Sequence, residues 1–254
     1  MVIDIISYNG EADMLELRLQ ILGCMVDQFI ITEAPTTFSG RDKALTFDIE
    51  KFKPWKDKIK YFVIDENYSQ EEIEAARASK YTNGDPRWMH EFMQKESIKK
   101  AMTHLKDEDI CIVGDVDEIY DTTILYLGKK LKLHVYAYYL NMRSSEEFWG
   151  PICYRYKDIK DACLNELRNS SPRTEEYAGW HFTNQGGVDA LMKKIGDNYN
   201  IGLLNDSLFP SVSERYGKID YIGRDFKLWV DESEWPTYLK NNREKYARLL
   251  SNPT

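Results

Sequence analysis

The feature that most constrains this chain is a series of apolar segments of strand length that alternate with helical patterns. The five segments span Val2–Ser7, Gln28–Thr32, Lys60–Ile64, Asp109–Val113 and Leu133–Asn141. The first and fourth are apolar on both faces, as in strands that are buried inside a parallel sheet. Strands that alternate with helices predict an α/β layer architecture with crossover helices on both faces of the sheet.

Helical periodicity fills the gaps between the predicted strands. Leu15, Leu19 and Leu22 form one apolar stripe, and Gly23 is placed to end that helix. Further helices are predicted over Glu72–Lys80, Trp88–Leu105 and Thr122–Leu131, and an amphipathic stretch over Tyr238–Leu250 comes last. No internal repeat or linker rich in Pro, Gly or Ser divides the chain. We therefore expect a single domain over residues 1–254.

Composition narrows the class of protein. The chain has 34 Lys and Arg against 42 Asp and Glu, a net charge of −8, which argues against a nucleic-acid groove. No window approaches the roughly 20 apolar residues of a membrane-spanning helix. The first apolar run contains Asp4 and no leading cation, so it predicts a strand rather than a signal peptide. Four cysteines without a CxxC pair predict reduced thiols and a cytoplasmic location.

The sharpest candidate for chemistry is the segment IVGDVDEI, in which an apolar strand ends in two acidic residues. Asp115 and Asp117 have the i, i+2 spacing that places two side chains on one face, whereas Val116 points the other way. Two carboxylates that project together are expected to need a cation, and Mg²⁺ or Mn²⁺ takes such oxygen ligands. The alternative is an acidic loop that caps a helix starting at Thr122. P-loop, dinucleotide, hydrolase-elbow and zincin motifs are absent from the sequence.

Five segments in order along the chain resemble glycosyltransferase family 17. They are YNGEADMLELRL at 8–19, VDQFIITEAPTTFSG at 26–40, DEDICIVGDVDEI at 107–119, AGWHF at 178–182 and YLKNNREKYARLLSNP at 238–253. The chain departs from the Golgi members of that family in carrying Tyr120 where they have Pro and in being shorter between the DVD and GWH motifs. It is also expected to lack their membrane anchor and stem.

The resemblance implies a GT-A fold, an α/β nucleotide-sugar-binding Rossmann-like sandwich with a mostly parallel central sheet. Residues 1–120 would form the nucleotide-sugar half, and residues 121–254 the acceptor-side half with a C-terminal closing segment. The implied reaction is metal-dependent, inverting transfer of N-acetylglucosamine or another hexose from a UDP-sugar to a hydroxyl of a glycan or other acceptor. The alternatives are a nucleotidyltransferase or phosphohydrolase that uses the DVD carboxylates, and a non-catalytic carbohydrate-binding protein.

Donor-binding residues are predicted on the loops that follow the strands, where ligands bind in open α/β sheets. The candidates are Asn9, Glu11, Glu33, Arg41, Lys43 and Asp115. Asn9 and Glu11 follow the first strand, where a GT-A fold receives uridine. Glu33 is placed to accept from the uracil imide or the ribose, and Arg41 and Lys43 to neutralise the diphosphate. The alternatives are a capped helix start for the first loop and solvated surface cations for the second.

Catalytic and acceptor residues are predicted after the fifth strand. Glu146 and Glu147 are candidate general bases, with Glu118 as the alternative, and Arg143 and Trp149 are candidates for binding the acceptor. Burial of Trp149 in the core is the competing interpretation.

The metal site is predicted to comprise Asp115, Asp117 and His181. His181 is the histidine that falls within a motif matching the family, and an imidazole ligand favours Mn²⁺ over Mg²⁺. The competing interpretation is a buried histidine that bonds a backbone carbonyl.

Overall fold

The computed structural model describes residues 1–123, 126–197, 212 and 214–251. The strands are β1 (Val2–Ser7), β2 (Gln28–Glu33), β3 (Ile59–Val63), β4 (Ile110–Asp115), β5 (Glu118–Tyr120), β6 (Lys129–Ala137), β7 (Met142–Ser144), β8 (Phe148–Arg155), β9 (Arg173–Thr183) and β10 (Leu228–Val230). The α-helices are α1 (Ala12–Leu22), α2 (Gln70–Ala78), α3 (Pro86–Ser97), α4 (Tyr156–Ile159), α5 (Leu164–Ser170), α6 (Val188–Asp197) and α7 (Thr237–Asn241). Shorter 3-10 helices cover Ile49–Lys58, Ile98–Ala101 and Arg243–Leu249.

The described strands form one mixed sheet in the order β10-β7-β6-β8-β4-β1-β2-β3, with β9 beside β6 and β5 beside β9. The pairs β1–β2, β1–β4, β2–β3 and β6–β9 are parallel. The pairs β4–β8, β6–β8, β6–β7, β7–β10 and β5–β9 are antiparallel. The α/β architecture is therefore confirmed, but the expectation of a mostly parallel sheet is wrong, because parallel pairing dominates only from β4 to β3.

Apolar side chains pack on both faces of the parallel part, as the sequence predicts. On one face, α1 contributes Leu15 and Leu19 to a core that also contains Phe29 of β2. On the other face, Ile3 and Ile5 of β1 pack with the residues around Ile98–Ala101. No helix in the described part of the chain is long and apolar enough to cross a membrane.

A buried arginine ties α1 to the loop that follows β4. Arg18 is fully buried and donates to both carboxylate oxygens of Asp4, at 2.7 and 2.6 Å. It also donates to the backbone carbonyls of Asp115 (3.1 Å) and Glu118 (2.7 Å). Because a buried guanidinium needs all of these acceptors, this network holds the DVD segment in one position.

The largest disagreement with the sequence analysis follows the DVD segment. The predicted helix Thr122–Leu131 is wrong, because Gly128 lies in a turn at φ +75° and β6 begins at Lys129. Two residues of the predicted helix, 124 and 125, lie outside the described residues. The predicted strand Leu133–Asn141 is placed too late, since β6 ends at Ala137 and Tyr138 turns the chain at φ +72°.

Candidate active site

The carboxyl ends of the parallel strands open into a cavity of about 370 Å³. The strand ends contribute Ser7 from β1, Thr32 from β2 and Asp115 from β4. Side chains from the helices and from β9 close the remaining sides. They are Trp88, Glu91, Gln94 and Lys95 of α3, Arg168 of α5, Lys194 of α6, and His181 and Thr183 of β9. A crevice beyond the carboxyl ends of strands is where α/β folds bind their ligands.

Asp115 and Asp117 both line this cavity. Asp115 is the last residue of β4 and pairs in register with Ser7 of β1. Val116, between them, is buried and belongs to the apolar core. The strand-end geometry thus brings the two carboxylates to one cavity.

Four cationic or titratable side chains surround these carboxylates. Arg168 Nη2 lies 3.3 Å from Asp115 Oδ2, and Lys95 Nζ lies 4.0 Å from Asp115 Oδ1. Lys194 Nζ and His181 Nε2 lie 3.3 and 3.7 Å from Asp117 Oδ2. Each carboxylate of the pair therefore has two nitrogen partners.

The electrostatic balance keeps both carboxylates ionised. Burial raises the pKa of Asp117, but Lys194 and His181 outweigh it and hold the pKa well below its usual range. Burial likewise opposes ionisation of Asp115, and Arg168 and Lys95 lower its pKa overall.

His181 is positioned by the pairing of β9 with β5, which sets it opposite Glu118. Its ring stacks on Phe148 with centroids 4.1 Å apart, and its Nδ1 atom is buried without a hydrogen-bond partner. Burial lowers the pKa of this imidazole, but the Asp117 carboxylate more than compensates and raises it. Among the described residues, no backbone carbonyl accepts a hydrogen bond from the His181 ring, as the competing interpretation would require.

The donor chemistry of this cluster fits a divalent cation. Two ligands of one ion lie about 3 to 4 Å apart when each ligand is about 2.1 Å from it. Asp117 Oδ2 and His181 Nε2, 3.7 Å apart, meet that condition. Among the described residues no three His, Cys, Asp or Glu side chains already converge on one point. Asp115 would have to turn from Arg168 to complete the predicted set of three.

Glu118 also lines the cavity, but both of its oxygens are occupied. Oε1 accepts from Arg168 Nη2 at 2.8 Å, and Oε2 accepts from the Asp115 backbone N–H at 2.9 Å. The side chain is 1% exposed and lies against Gly114 and Gly150, where a Cβ atom would come within 2.8 and 2.7 Å of it. These contacts indicate that Glu118 holds Arg168 and the DVD turn.

Glu146 and Glu147, the candidate bases, do not line the cavity. Glu147 is exposed and pairs with Lys132 at 2.7 Å, and Glu146 pairs with Arg224 at 3.1 Å. The structure brings neither carboxylate to the DVD pair.

Asn9 and Glu11, the candidate donor ligands after β1, line the cavity as predicted from their place after the strand. Asn9 Nδ2 donates to Asp197 at 3.2 Å, while its Oδ1 is buried without a partner. Glu11 Oε2 accepts from the Asn9 backbone N–H at 2.8 Å. Burial raises the pKa of Glu11, and the Asp117 carboxylate adds to that effect.

Glu33 has structural partners in place of the predicted uracil or ribose. Its carboxylate accepts from the backbone N–H groups of Thr46 and Phe47, at 2.8 and 3.1 Å, and from the Tyr61 hydroxyl at 2.8 Å. Lys43 donates to the same carboxylate at 3.1 Å and also lines the cavity. The buried carboxylate, 1% exposed, therefore anchors the loop that follows β2.

Arg41 lies outside the cavity lining and is mostly exposed. It donates to the Gly196 carbonyl and to Asp197 at the end of α6, so its contacts hold that helix against the loop after β2.

Arg143 and Trp149, the candidate acceptor residues, do not line the cavity. Phe148 and Trp149 are neighbours in β8, so their side chains point to opposite faces, and it is Phe148 that lines the cavity. Trp149 is half-buried and donates to the Thr174 carbonyl at 2.9 Å. The Arg143 guanidinium lies over Tyr136 and Tyr177, 5.4 and 5.5 Å from the ring centroids.

Sequence reasoning missed the cations of the cavity, namely Lys95, Arg168 and Lys194. Lys95 follows Glu91 by one helical turn and bonds it at 2.7 Å, so an i, i+4 pair on the cavity face of α3 was a usable signal. Arg168 and Lys194 reach the cavity only through the long-range placement of α5 and α6, which no local pattern encodes.

The chain is similar in sequence to one family of enzymes. Residues 1–184 match the family model of glycosyltransferase family 17. The beta-1,4-mannosyl-glycoprotein 4-beta-N-acetylglucosaminyltransferases of Rattus norvegicus and Homo sapiens are each 26% identical to the chain. The Mus musculus protein of the same name is 22% identical. Each alignment covers 99% of this chain and 55% of the relative, so the chain spans about half the length of the curated relatives it matches.

Proposed function

Since this chain belongs to glycosyltransferase family 17, we propose that it transfers a sugar from a UDP-sugar to an acceptor hydroxyl in a reaction that depends on Mn²⁺ or Mg²⁺ and inverts the anomeric centre. N-acetylglucosamine is the first sugar to test, because the relatives are named as N-acetylglucosaminyltransferases. The proposal does not extend to their glycoprotein acceptor.

One observation carries the proposal: Asp115 and Asp117 meet His181 and three cations in a cavity at the carboxyl ends of the parallel strands. A nucleoside diphosphate has a strongly anionic centre, and carboxylates bind it through a divalent cation. Asp115, Asp117 and His181 would hold that cation. A bound Mn²⁺ supplies Lewis acidity that stabilises the charge developing on the leaving diphosphate.

The remaining lining fits the other parts of the donor. Asn9 has a buried amide oxygen without a partner, which suits a ribose hydroxyl or the uracil imide N–H. Trp88 presents an aromatic ring to the cavity, and aromatic rings stack on nucleobases. Lys43, on the loop after β2, supplies a positive charge to the lining of the cavity.

The general base belongs among the carboxylates that reach the cavity, since a base must approach its proton to about 3 Å. Glu118 is fully bonded, and Glu91 is held by Lys95 at 2.7 Å and by the Tyr81 hydroxyl at 3.1 Å. Glu11 forms no ion pair with a described residue, and it accepts a hydrogen bond from the Asn9 backbone N–H, so we place it ahead of the predicted Glu146 and Glu147.

The variant Glu11→Gln separates a base from a donor ligand. If Glu11 is the base, the variant should lower kcat by about 10²-fold or more and leave the KM for the UDP-sugar unchanged. If Glu11 instead binds the donor, the variant should raise that KM. Glu91→Gln serves as the matched control in the same cavity, and an equal loss of kcat in both variants would contradict the assignment of Glu11.

The activity itself is tested with a panel of nucleotide sugars assayed for UDP release, with Mn²⁺ and with EDTA. Hydrolysis without acceptor identifies the donor, and we expect it to cease in EDTA. Release of pyrophosphate or phosphate in place of UDP would favour the nucleotidyltransferase or phosphohydrolase alternative. Sugar affinity that is unchanged by EDTA, without turnover of any donor, would favour a carbohydrate-binding protein.

A further inference from the structure

The cations of the cavity are not equivalent, because they differ in what anchors them. Arg168 is fixed by Glu118 at 2.8 Å and Lys95 by Glu91 at 2.7 Å, so each keeps a carboxylate partner that is independent of the DVD pair. Among the described residues Lys194 has one ion-pair partner, Asp117 at 3.3 Å, and it also bonds the Thr183 hydroxyl at 3.5 Å. The charge of Glu11 acts on it from farther away.

Lys194 is also the most accessible of the three. Its side chain is 40% exposed, compared with 13% for Lys95 and 17% for Arg168. It lines the cavity from α6, a helix that lies beyond the family match, which ends at residue 184.

The end of α6 is fastened across the cavity, which keeps Lys194 close to the DVD pair. The Ser39 backbone N–H donates to the Asp197 carbonyl at 3.0 Å, and Asn9 Nδ2 donates to the Asp197 carboxylate at 3.2 Å. Lys194 is three residues before Asp197, so the ammonium group can change partner by rotating its own side chain while the helix stays in place.

We propose, on the basis of the function proposed above, that Lys194 is an exchangeable counter-ion that couples metal binding to nucleotide binding. Without metal it neutralises Asp117. A divalent cation that binds Asp117 displaces the ammonium group, which is then released to bind the diphosphate of the donor. Metal and nucleotide therefore strengthen each other's binding by the same factor, as linkage requires.

This exchange predicts effects of opposite sign for the uncharged variant Lys194→Met. Removing the competing ammonium group is expected to tighten Mn²⁺ binding about fivefold in the absence of nucleotide, a modest gain because the lysine is partly solvated. Loss of a charge-assisted hydrogen bond is expected to weaken UDP binding about tenfold in saturating Mn²⁺. An ordinary metal or phosphate ligand would not produce both effects.

The experiment measures Mn²⁺ affinity from the EPR signal of the free ion, and UDP affinity by calorimetry with and without Mn²⁺. Lys193→Met is the matched control, because Lys193 is the preceding residue, carries the same charge and pairs with Asp197 at 2.6 Å. It should leave both affinities within about twofold of wild type. Uridine, which lacks the diphosphate, should bind wild type and Lys194→Met equally, and Lys194→Arg should restore UDP binding.

Mn²⁺ binding that is unchanged or weaker in Lys194→Met would overturn the exchange, and so would unchanged UDP binding. Those results leave the proposed function standing if wild type still binds Mn²⁺ and releases UDP from a UDP-sugar. A wild-type protein that binds neither Mn²⁺ nor UDP would instead overturn the proposed function.

Discussion

The two ends of the sheet contribute to the cavity in different ways. From β4 to β3 the strands are parallel, and their carboxyl ends place Asn9, Glu11 and Asp115 at the cavity directly. From β5 to β10 antiparallel pairings dominate, and side chains such as His181 reach the cavity through β9. The parallel part thus supplies Asn9, Glu11 and Asp115 from a strand end and from a loop that follows a strand. In the second part, His181, Arg168 and Lys194 come from regular elements, namely β9, α5 and α6.

The site therefore lies at the boundary between the two parts of the sheet. Asp117 lies in the turn between β4 and β5 and touches His181 of β9 and Lys194 of α6. Arg18 and Glu118 hold that turn in place through hydrogen bonds to its backbone. A change at this boundary should therefore affect turnover most. Changes within either part of the sheet should act through stability or through distant contacts.

The largest expected effect comes from Asp117→Asn. Loss of the charge removes a proposed metal ligand, so we expect UDP release to fall about 10³-fold or more, by analogy with the loss of one essential electrostatic group. Thermal unfolding and UDP release measured on one preparation test this. Asp121→Asn is the control, because Asp121 caps the next turn through Thr123 at 2.9 Å and does not line the cavity. Near-normal turnover in Asp117→Asn would show that the reaction does not need the Asp117 carboxylate.

The second effect tests whether Glu118 is structural. Glu118→Gln weakens the buried partner of Arg168, so we expect a loss of about 2 to 4 kcal/mol in the free energy of unfolding by urea. Glu146→Gln and Glu147→Gln, on salt bridges outside the cavity, should change that free energy by about 0.5 kcal/mol or less. Normal stability with a loss of kcat in Glu118→Gln alone would show that Glu118 is the base after all.

The sequence predicts the parallel part of the sheet better than the part beyond this boundary. The run Val2–Ser7 and the i, i+2 spacing of the DVD carboxylates are local patterns, and the structure has that strand and brings both carboxylates to one cavity. The segment AGWHF carries no comparable local signal, because β9 alternates poorly and is defined by its partners β5 and β6. Trp149 shows the same limit, since only the register of β8 decides which face it takes.

A third effect, smaller and pH-dependent, tests the parallel part through Glu33. Its pKa is lowered, because hydrogen bonds from Thr46, Tyr61 and Phe47, with the charge of Lys43, outweigh burial. A depressed pKa contributes stability that is present above the unfolded value, about 4.3, and is lost as the pH falls through the folded value. Glu33→Gln should therefore cost about 1 to 3 kcal/mol at pH 7 in urea unfolding, and less at acid pH.

The UDP affinity of Glu33→Gln distinguishes the two roles of that carboxylate. An anchor of the loop leaves the affinity for UDP nearly unchanged at a temperature where the variant is folded. A ligand of uracil or ribose would weaken UDP binding at all pH values at which the protein is folded, and that result would restore the predicted donor role.

The smallest effect concerns Trp149, the predicted acceptor residue, whose side chain lies on the face of the sheet away from the cavity. A residue on that face cannot touch the reacting hydroxyl, so Trp149→Ala should leave kcat and the KM for the UDP-sugar unchanged. It should raise the KM only for acceptors long enough to reach around the sheet, by about fivefold for a lost stacking contact. Short and extended acceptors compared on Trp149→Ala and on the ring-preserving Trp149→Phe measure this. Equal effects on both acceptor lengths would indicate that the tryptophan only packs between Lys132 and Arg173, whose charged groups lie 5.1 and 4.5 Å from its ring.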